Sequence, residues 1–211
     1  MPELSHLESW FSRDRLAPYR AATTSHGDAA ALYEWNAEVS AAFWRTLGHV
    51  EVLVRNALHR ELTAWSQRQY GTDRWYAAIE PMVSQQTRKD IREAIRRGTR
   101  NGRPETPGRV VAELNLGFWR FLLARRYDGT LWRYCMYRAF PGKRRADVER
   151  AVSTLHVLRN RIGHHEPVHN RPLDELLTLA LDVAGWIDAD ARDWIAAGDL
   201  TPSLLARRSR P

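Results

Sequence analysis

Apolar side chains recur every three or four positions along most of the chain, which is the spacing of one face of an α-helix. The longest series predicts a helix of about nine turns, capped at its N-terminus by Asp28 and stopped by Gly71. Its apolar members are Leu32, Trp35, Val39, Phe43, Leu47, Val50, Val54, Leu58, Leu62 and Trp65. No alternating apolar and polar run is long enough to predict a strand. We therefore predict an all-α bundle of four to five main helices with additional short helices.

Four further helices are predicted after this long one. They span 90–100, 110–127 with a break near Gly117, 146–163, and 173–195. Residues 101–108 contain two Pro and two Gly, which predicts a loop. Pro167 ends the third of these helices because proline disfavours helix in the residue before it, and Pro172 lies in the first turn of the fourth.

Length and composition indicate one globular domain. The chain has 211 residues, of which 44% are hydrophobic, and we predict a single domain over 1–205 followed by a frayed basic tail at 206–211. No stretch approaches the roughly 18 apolar residues of a membrane span, and residues 1–13 lack the order of a signal peptide. The single Cys135 excludes an internal disulfide framework, so we expect a cytoplasmic protein. Most of the nine tryptophans fall on apolar faces and are assigned to the core rather than to base stacking.

The positive charge is concentrated in the middle of the chain. The net charge is +7, yet residues 88–150 alone hold 17 Lys and Arg against 7 Asp and Glu. Within them, 88–109 is predicted as an inserted basic helix and flexible loop. Its cations form a stripe with a spacing of four residues, extended by one more arginine: Arg88, Arg92, Arg96, Arg100 and Arg103. Such a stripe fits a phosphate-tracking surface for RNA, although a merely solvated helix face would have the same spacing.

The richest chemistry lies in 155–169, where four His, two Arg, one Asn and one Glu accompany a helix end. On a helix Asn160 and His164 are four residues apart and share a face. Arg159 lies one step round the helix, and Gly163 leaves room beside it. The segment therefore predicts an imidazole, a guanidinium and an amide converging at one helix end.

That set of groups suits RNA cleavage without a metal ion. Attack of a 2′-hydroxyl on the adjacent phosphorus needs one group to accept a proton and another to protonate the leaving 5′-oxygen. Histidine, with an ordinary pKa of about 6.5, can do either near neutral pH. The fixed donor fork of an arginine can stabilise the negative charge that develops at phosphorus.

Three blocks of the chain, both in their residues and in their order along the sequence, resemble the Abi-like (abortive infection) branch of the HEPN superfamily of ribonucleases. Residues 159–164 are similar to the R-N-x-x-x-H motif within the longer string 158–167. Residues 50–58 are similar to an E-x-x-x-R-N block that contains Glu51, Arg55 and Asn56. Residues 116–119 are similar to a G-F-W block. The resemblance covers roughly residues 30–180.

The resemblance implies a HEPN-type helical bundle that forms homodimers, with a composite, metal-independent endoribonuclease site and no cofactor. Products would carry a 2′,3′-cyclic phosphate, and the protein would be a bacterial toxin of phage defence or of a toxin–antitoxin system. A small noncoding RNA or a protein would act as antitoxin. By position, Arg159 and His164 would be the catalytic pair, with Asn160 as the supporting polar residue.

The remaining motif residues are expected to support this site. We predict that Arg161, His165 and Glu166 shape its rim, and that Glu51, Arg55 and Asn56 support the active-site helix or the dimer seam. Nucleotidylated HEPN toxins carry a Tyr where this chain has Glu166, which argues against that form of control here.

Other interpretations of the same residues stay open at this point. Residues 165–169 match the H-E-x-x-H zinc motif, but Pro167 argues against the helix that this motif needs. The cluster of histidines could be a helix-end hydrogen-bond network, and Glu51 and Arg55 could form a purely structural pair. A non-catalytic RNA-binding module of a ribonucleoprotein would use the same basic surface.

Overall fold

The computed structural model describes residues 4–208, and every regular element within them is helical, as predicted. The α-helices are α1 Leu4–Phe11, α2 Arg13–Ala21, α3 His26–Tyr70, α4 Trp75–Ala78, α5 Gln85–Gly98, α6 Pro107–Ala112, α7 Leu116–Leu122, α8 Arg145–Gly163, α9 Leu173–Ile187, α10 Ala189–Ala197 and α11 Thr201–Ala206. Short 3₁₀ and π turns link several of them. Among helices of 4–208, none combines the length and the apolar character that a membrane span requires.

The helix α3 is the axis on which the other helices pack. Its apolar stripe is buried from Trp35 to Trp65, and α1, α2, α7, α8, α9 and α11 all contact it. Gly71 ends it in the left-handed conformation that glycine tolerates best, as predicted. The N-terminal cap differs from the prediction, because Ser25 has extended backbone angles and its hydroxyl accepts the amide hydrogen of Asp28.

Two predicted helices are interrupted where a polar side chain caps a new helix. The segment 110–127 breaks at Leu114–Asn115, close to the predicted position near Gly117, because Asn115 caps α7. Gly117 itself is buried inside α7. The predicted helix 173–195 is two helices, because Asp188 leaves α9 in an extended conformation and caps α10. Both breaks arise because Asn and Asp side chains satisfy amides that a continuous helix would bond internally.

The basic helix begins earlier and ends earlier than predicted. Ser84 caps α5 through the amide of Thr87, and the helix ends at Gly98 rather than at residue 100. A 3₁₀ turn, Arg100–Gly102, and the N-terminus of α6 then occupy the ends of the predicted 101–108 loop.

The site-bearing helix α8 packs on α3, α7 and α9. Its apolar face joins the main core, whereas α1, α2 and the start of α3 form a smaller hydrophobic cluster. At the C-terminal end of the described chain, Arg207 pairs with Glu38 and Arg208 lies over the ring of Trp35. The rest of the predicted tail, 209–211, lies outside the described residues.

Candidate functional site

The candidate site lies where α8 ends. His164 caps the helix, and its amide donates to the carbonyl of Asn160 at 2.9 Å. His165 follows with φ +55°, a left-handed conformation that side chains other than Asn and Asp seldom adopt. Its carbonyl accepts a hydrogen bond from the guanidinium of Arg15 in α2. The chain therefore leaves the helix sharply, four residues before Pro167.

The guanidinium of Arg159 is held between two side chains of α3. Its Nε lies 3.8 Å from a carboxylate oxygen of Glu51, and its central carbon lies 4.9 Å from the ring centroid of Trp44. About a third of the Arg159 side chain remains accessible. Because the carboxylate faces Nε, the terminal nitrogens of the guanidinium fork are left for an anion.

Glu51 connects the three sequence blocks that were singled out. One of its carboxylate oxygens faces Arg159 in α8, and the other accepts the amide hydrogen of Leu116 at 3.1 Å. That amide belongs to the first turn of α7, which carries the G-F-W block. In the described residues Glu51 makes no ion pair with Arg55, so the structural pair considered for these two residues is not formed.

The side chain of Asn160 contacts another histidine of α8. Its side-chain nitrogen lies 3.3 Å from Nε2 of His156, and both side chains line a cleft bounded by Arg97 and Glu113. Burial, with Arg120 and Arg159 nearby, lowers the pKa of His156, so its imidazole is neutral at pH 7. Asn160 therefore contacts His156, whereas we predicted that it would support His164.

The imidazole of His164 is exposed and makes no hydrogen bond or ion pair within residues 4–208. The neighbouring Arg161 and Glu166 are held by contacts close in sequence. The guanidinium of Arg161 lies 3.1 Å from the carboxylate of Glu166 and donates a hydrogen bond to the carbonyl of Pro167. A free imidazole beside a fixed rim is available to a ligand.

The turn after α8 is anchored by a buried amide. The side-chain oxygen of Asn36 accepts the backbone amides of Val168 and His169 at 2.8 and 3.1 Å. His169 is itself buried against Tyr19, with ring centroids 4.9 Å apart. No helix runs through 165–169, so the geometry that the zinc motif needs is absent from this part of the described chain.

Part of the basic stripe is already paired with glutamate carboxylates. Within the stripe, Arg92 and Arg96 lie within 4.0 Å of the carboxylates of Glu80 and Glu93, respectively. Arg97, which lies beside the stripe on α5, is 3.3 Å from the carboxylate of Glu113. The three remaining stripe residues make no ion pair with a glutamate of the described chain. Arg88 donates a hydrogen bond to the backbone carbonyl of Glu80. Arg100 lies beyond the end of α5, and Arg103 is exposed in the loop that follows. Glu80 and Glu113 approach α5 from neighbouring segments of the chain, so the spacing of residues along the helix does not predict these two pairs.

The two remaining residues of the E-x-x-x-R-N block make no hydrogen bond or ion pair with α8 in residues 4–208. The Nε of Arg55 is buried without a hydrogen-bond partner, and Arg55 helps to lower the pKa of His59. Asn56 is exposed.

Sequence reasoning missed four residues of this region: Arg15, Asn36, Trp44 and His156. Asn36 had a detectable signal, since it is a polar residue within the apolar stripe of α3. Most tryptophans are predicted to lie in the core, and Trp44, which is 46% exposed, is an exception that the sequence did not single out.

The arrangement can bind an anion at Arg159 and transfer a proton at His164, both at one end of α8. Glu51 and Trp44, both on α3, hold the guanidinium in place before any ligand binds. Comparison of the chain with models of protein families, with curated proteins and with solved structures found no match.

Proposed function

We propose that this protein is a metal-independent endoribonuclease. The observation that carries the proposal is the accessible guanidinium of Arg159, held by Glu51 and Trp44 five residues before the free imidazole of His164. The resemblance to the Abi-like branch of the HEPN ribonucleases supports it, because Glu51 joins the three blocks that carry that resemblance.

In the proposed reaction the 2′-hydroxyl of the RNA attacks the adjacent phosphorus while a base removes its proton. The bond to the 5′-oxygen breaks, and an acid protonates that oxygen, which leaves a 2′,3′-cyclic phosphate and a 5′-hydroxyl. His164 supplies proton transfer on one side of phosphorus. The terminal nitrogens of Arg159 stabilise the charge on the non-bridging oxygens as it develops.

In-line displacement needs groups on both sides of phosphorus, which is why the proposal includes a homodimer. The helix α8 offers a surface for a second copy. Val157 is 55% exposed on α8, and it lines a groove of about 320 Å³ together with Leu158, Arg161 and Leu176. Pairing α8 with its copy would cover this apolar position and bring two motifs together.

The resemblance extends the proposal to a toxin that acts in the bacterial cytoplasm, in phage defence or opposite an antitoxin. The antitoxin would be a small noncoding RNA or a protein. The surface of α5 is the proposed contact for RNA, through those of its cations that are not already paired with glutamates.

The test is cleavage of end-labelled RNA by purified protein in the presence of EDTA, beside His164→Ala and Arg159→Ala. We expect the wild-type protein to give cyclic-phosphate ends. Each variant should be slower by about 10²-fold or more, because loss of a general acid or base, or of a charge-stabilising donor, typically has that effect. Exposed residues away from the site supply matched controls, His26→Ala and Arg133→Ala, which should cleave at the wild-type rate.

Each other result contradicts the proposal in a specific way. Equal RNA binding by all proteins with no cleavage by any would favour the non-catalytic RNA-binding module. Cleavage that EDTA abolishes and zinc restores would favour a metal-dependent hydrolase.

A further inference from the structure

A cavity of about 480 Å³ opens beside the end of α8, and nothing above assigns it a role. Helix α2 contributes Tyr19, helix α3 contributes Tyr33 and Trp44, and the end of α8 contributes Gly163 and His165. We call this cavity the tyrosine pocket. Its volume lies in the range of about 300–1,000 Å³ that small-ligand sites occupy.

The walls of the tyrosine pocket are rich in aromatic surface. The rings of Tyr19 and Tyr33 pack edge to face with centroids 5.2 Å apart. Tyr19 is buried, whereas Tyr33 is partly exposed and Trp44 is nearly half exposed, so these two rings supply the accessible aromatic surface. Burial raises the pKa of Tyr19 to about 12, so its hydroxyl stays protonated and adds no negative charge. Exposed aromatic rings at a concave site are the surfaces on which unpaired nucleobases stack.

Positive charge borders the same wall. Trp44 lines the pocket and also lies under the guanidinium of Arg159. A Cβ placed on Gly163 would be 3.5 Å from the ring of Trp44 and 3.7 Å from a terminal nitrogen of Arg159. The pocket and the guanidinium are therefore adjacent, and on the pocket's other side Arg15 holds the carbonyl of His165.

The aromatic walls of the pocket suit a flat ring, and the adjacent guanidinium of Arg159 suits an anion. A nucleotide carries both groups, a nucleobase and a phosphate. We propose that the tyrosine pocket binds the nucleobase of the RNA residue that flanks the phosphate held by Arg159. This inference rests on the proposed function for the identity of its RNA ligand. It assigns the N-terminal helices a part in substrate choice, because α2 supplies one wall of the pocket.

The experiment measures binding of adenosine 3′-monophosphate and uridine 3′-monophosphate by calorimetry, with inorganic phosphate as the probe that lacks a base. Ala41 is an exposed residue of α3 that lines the pocket, so Ala41→Phe should fill it. The matched control is Ala112→Phe, which makes the same change at an exposed position of α6. Tyr33→Leu is a second variant that removes an aromatic wall, and thermal melting checks that each protein folds.

We expect at least one nucleotide to bind tenfold or more tightly than inorganic phosphate, and to inhibit RNA cleavage competitively. Ala41→Phe and Tyr33→Leu should weaken that binding at least tenfold, raise the KM for RNA and alter the preferred cleavage sequence. Ala112→Phe should behave as wild type.

Nucleotide binding no tighter than that of phosphate, or unaffected by Ala41→Phe, would overturn the inference even if RNA is cleaved. Nucleotide binding that does not compete with RNA would also overturn it, by indicating a separate ligand. If Ala41→Phe changed only the oligomeric state in sedimentation, the occupant would be a second copy of the chain. Competitive binding of nucleotide and RNA with no cleavage by wild type would instead overturn the ribonuclease proposal and leave the pocket assigned.

Discussion

At the scale of single residues, Asn36 shows how one buried amide fixes the segment after α8. Its side-chain oxygen accepts two backbone amides from the turn, and Asn36 is only 7% exposed. Buried amides without an acceptor are costly, so this side chain stabilises the particular path that places His164 and His165.

Replacing this residue separates its hydrogen bonds from its volume. Asn36→Leu should lower the free energy of unfolding by about 1–3 kcal/mol for each amide left without an acceptor. Asn36→Asp keeps an acceptor oxygen and should lose less. Urea unfolding of the two variants checks this, and equal losses would contradict the role assigned to the side-chain oxygen.

At the scale of helices, Glu51 is the point where α3, α7 and α8 meet. It accepts the first-turn amide of α7 and faces Arg159 of α8. The same carboxylate thus satisfies an otherwise unpaired helix-end donor and orients a guanidinium. An acidic residue of α3 thus contacts a residue of α8 that lies 108 positions further along the chain.

Two substitutions distinguish these tasks of Glu51. Glu51→Gln keeps an oxygen for the amide of Leu116 but removes the charge opposite Arg159, so it should reduce RNA cleavage with a loss of stability below about 1 kcal/mol. Glu51→Ala removes both and should destabilise the fold by about 1–3 kcal/mol. Cleavage assays and urea unfolding measure the two effects. Identical behaviour of the variants in both assays would show that the charge has no separate role.

At the scale of the whole molecule, three histidines in different parts of the bundle, two partly buried and His169 fully buried, share one property. Burial is the main cause that lowers the pKa of His59, His156 and His169 in the folded protein, and nearby arginines add to it. At His59 a hydrogen bond also favours the neutral imidazole, because its Nδ1 accepts the indole N–H of Trp75 at 2.8 Å. Protonation at that nitrogen would remove the acceptor.

These shifts predict a loss of stability in mild acid. The unfolded chain, with histidine pKa values near the ordinary value of about 6.5, binds protons that the folded protein does not yet accept. Stability should therefore be fully present above that pH and fall as the pH drops through the lowered pKa values. Urea midpoints at pH 7.5 and pH 5.5 measure it, and His59→Gln should show a smaller difference. An unchanged midpoint in the wild-type protein would contradict the prediction.

Much of the fold was predictable because its signals are local. The three-to-four-residue spacing of apolar positions predicts helices, and Gly71 ends α3 as expected. Errors fell at caps and breaks such as Ser25, Asn115 and Asp188, where a short polar side chain competes with the continuing helix. That competition is decided by a few hydrogen bonds, which composition and periodicity do not reveal.

The candidate site likewise has features that the sequence predicts and features that only the packing of the helices determines. The sequence alone determines that Arg159 and His164 stand at one helix end, because five residues of helix set their separation. Only the tertiary structure decides that Arg159 faces Glu51, that Asn160 turns to His156, and that glutamates from other segments pair with the arginines of α5. Asn160 and His156 lie only four residues apart on α8, but the other partners lie between 12 and 108 residues apart in the chain. Their meeting depends on how α3, α7 and α8 pack around a shared apolar core, and no local spacing encodes that arrangement.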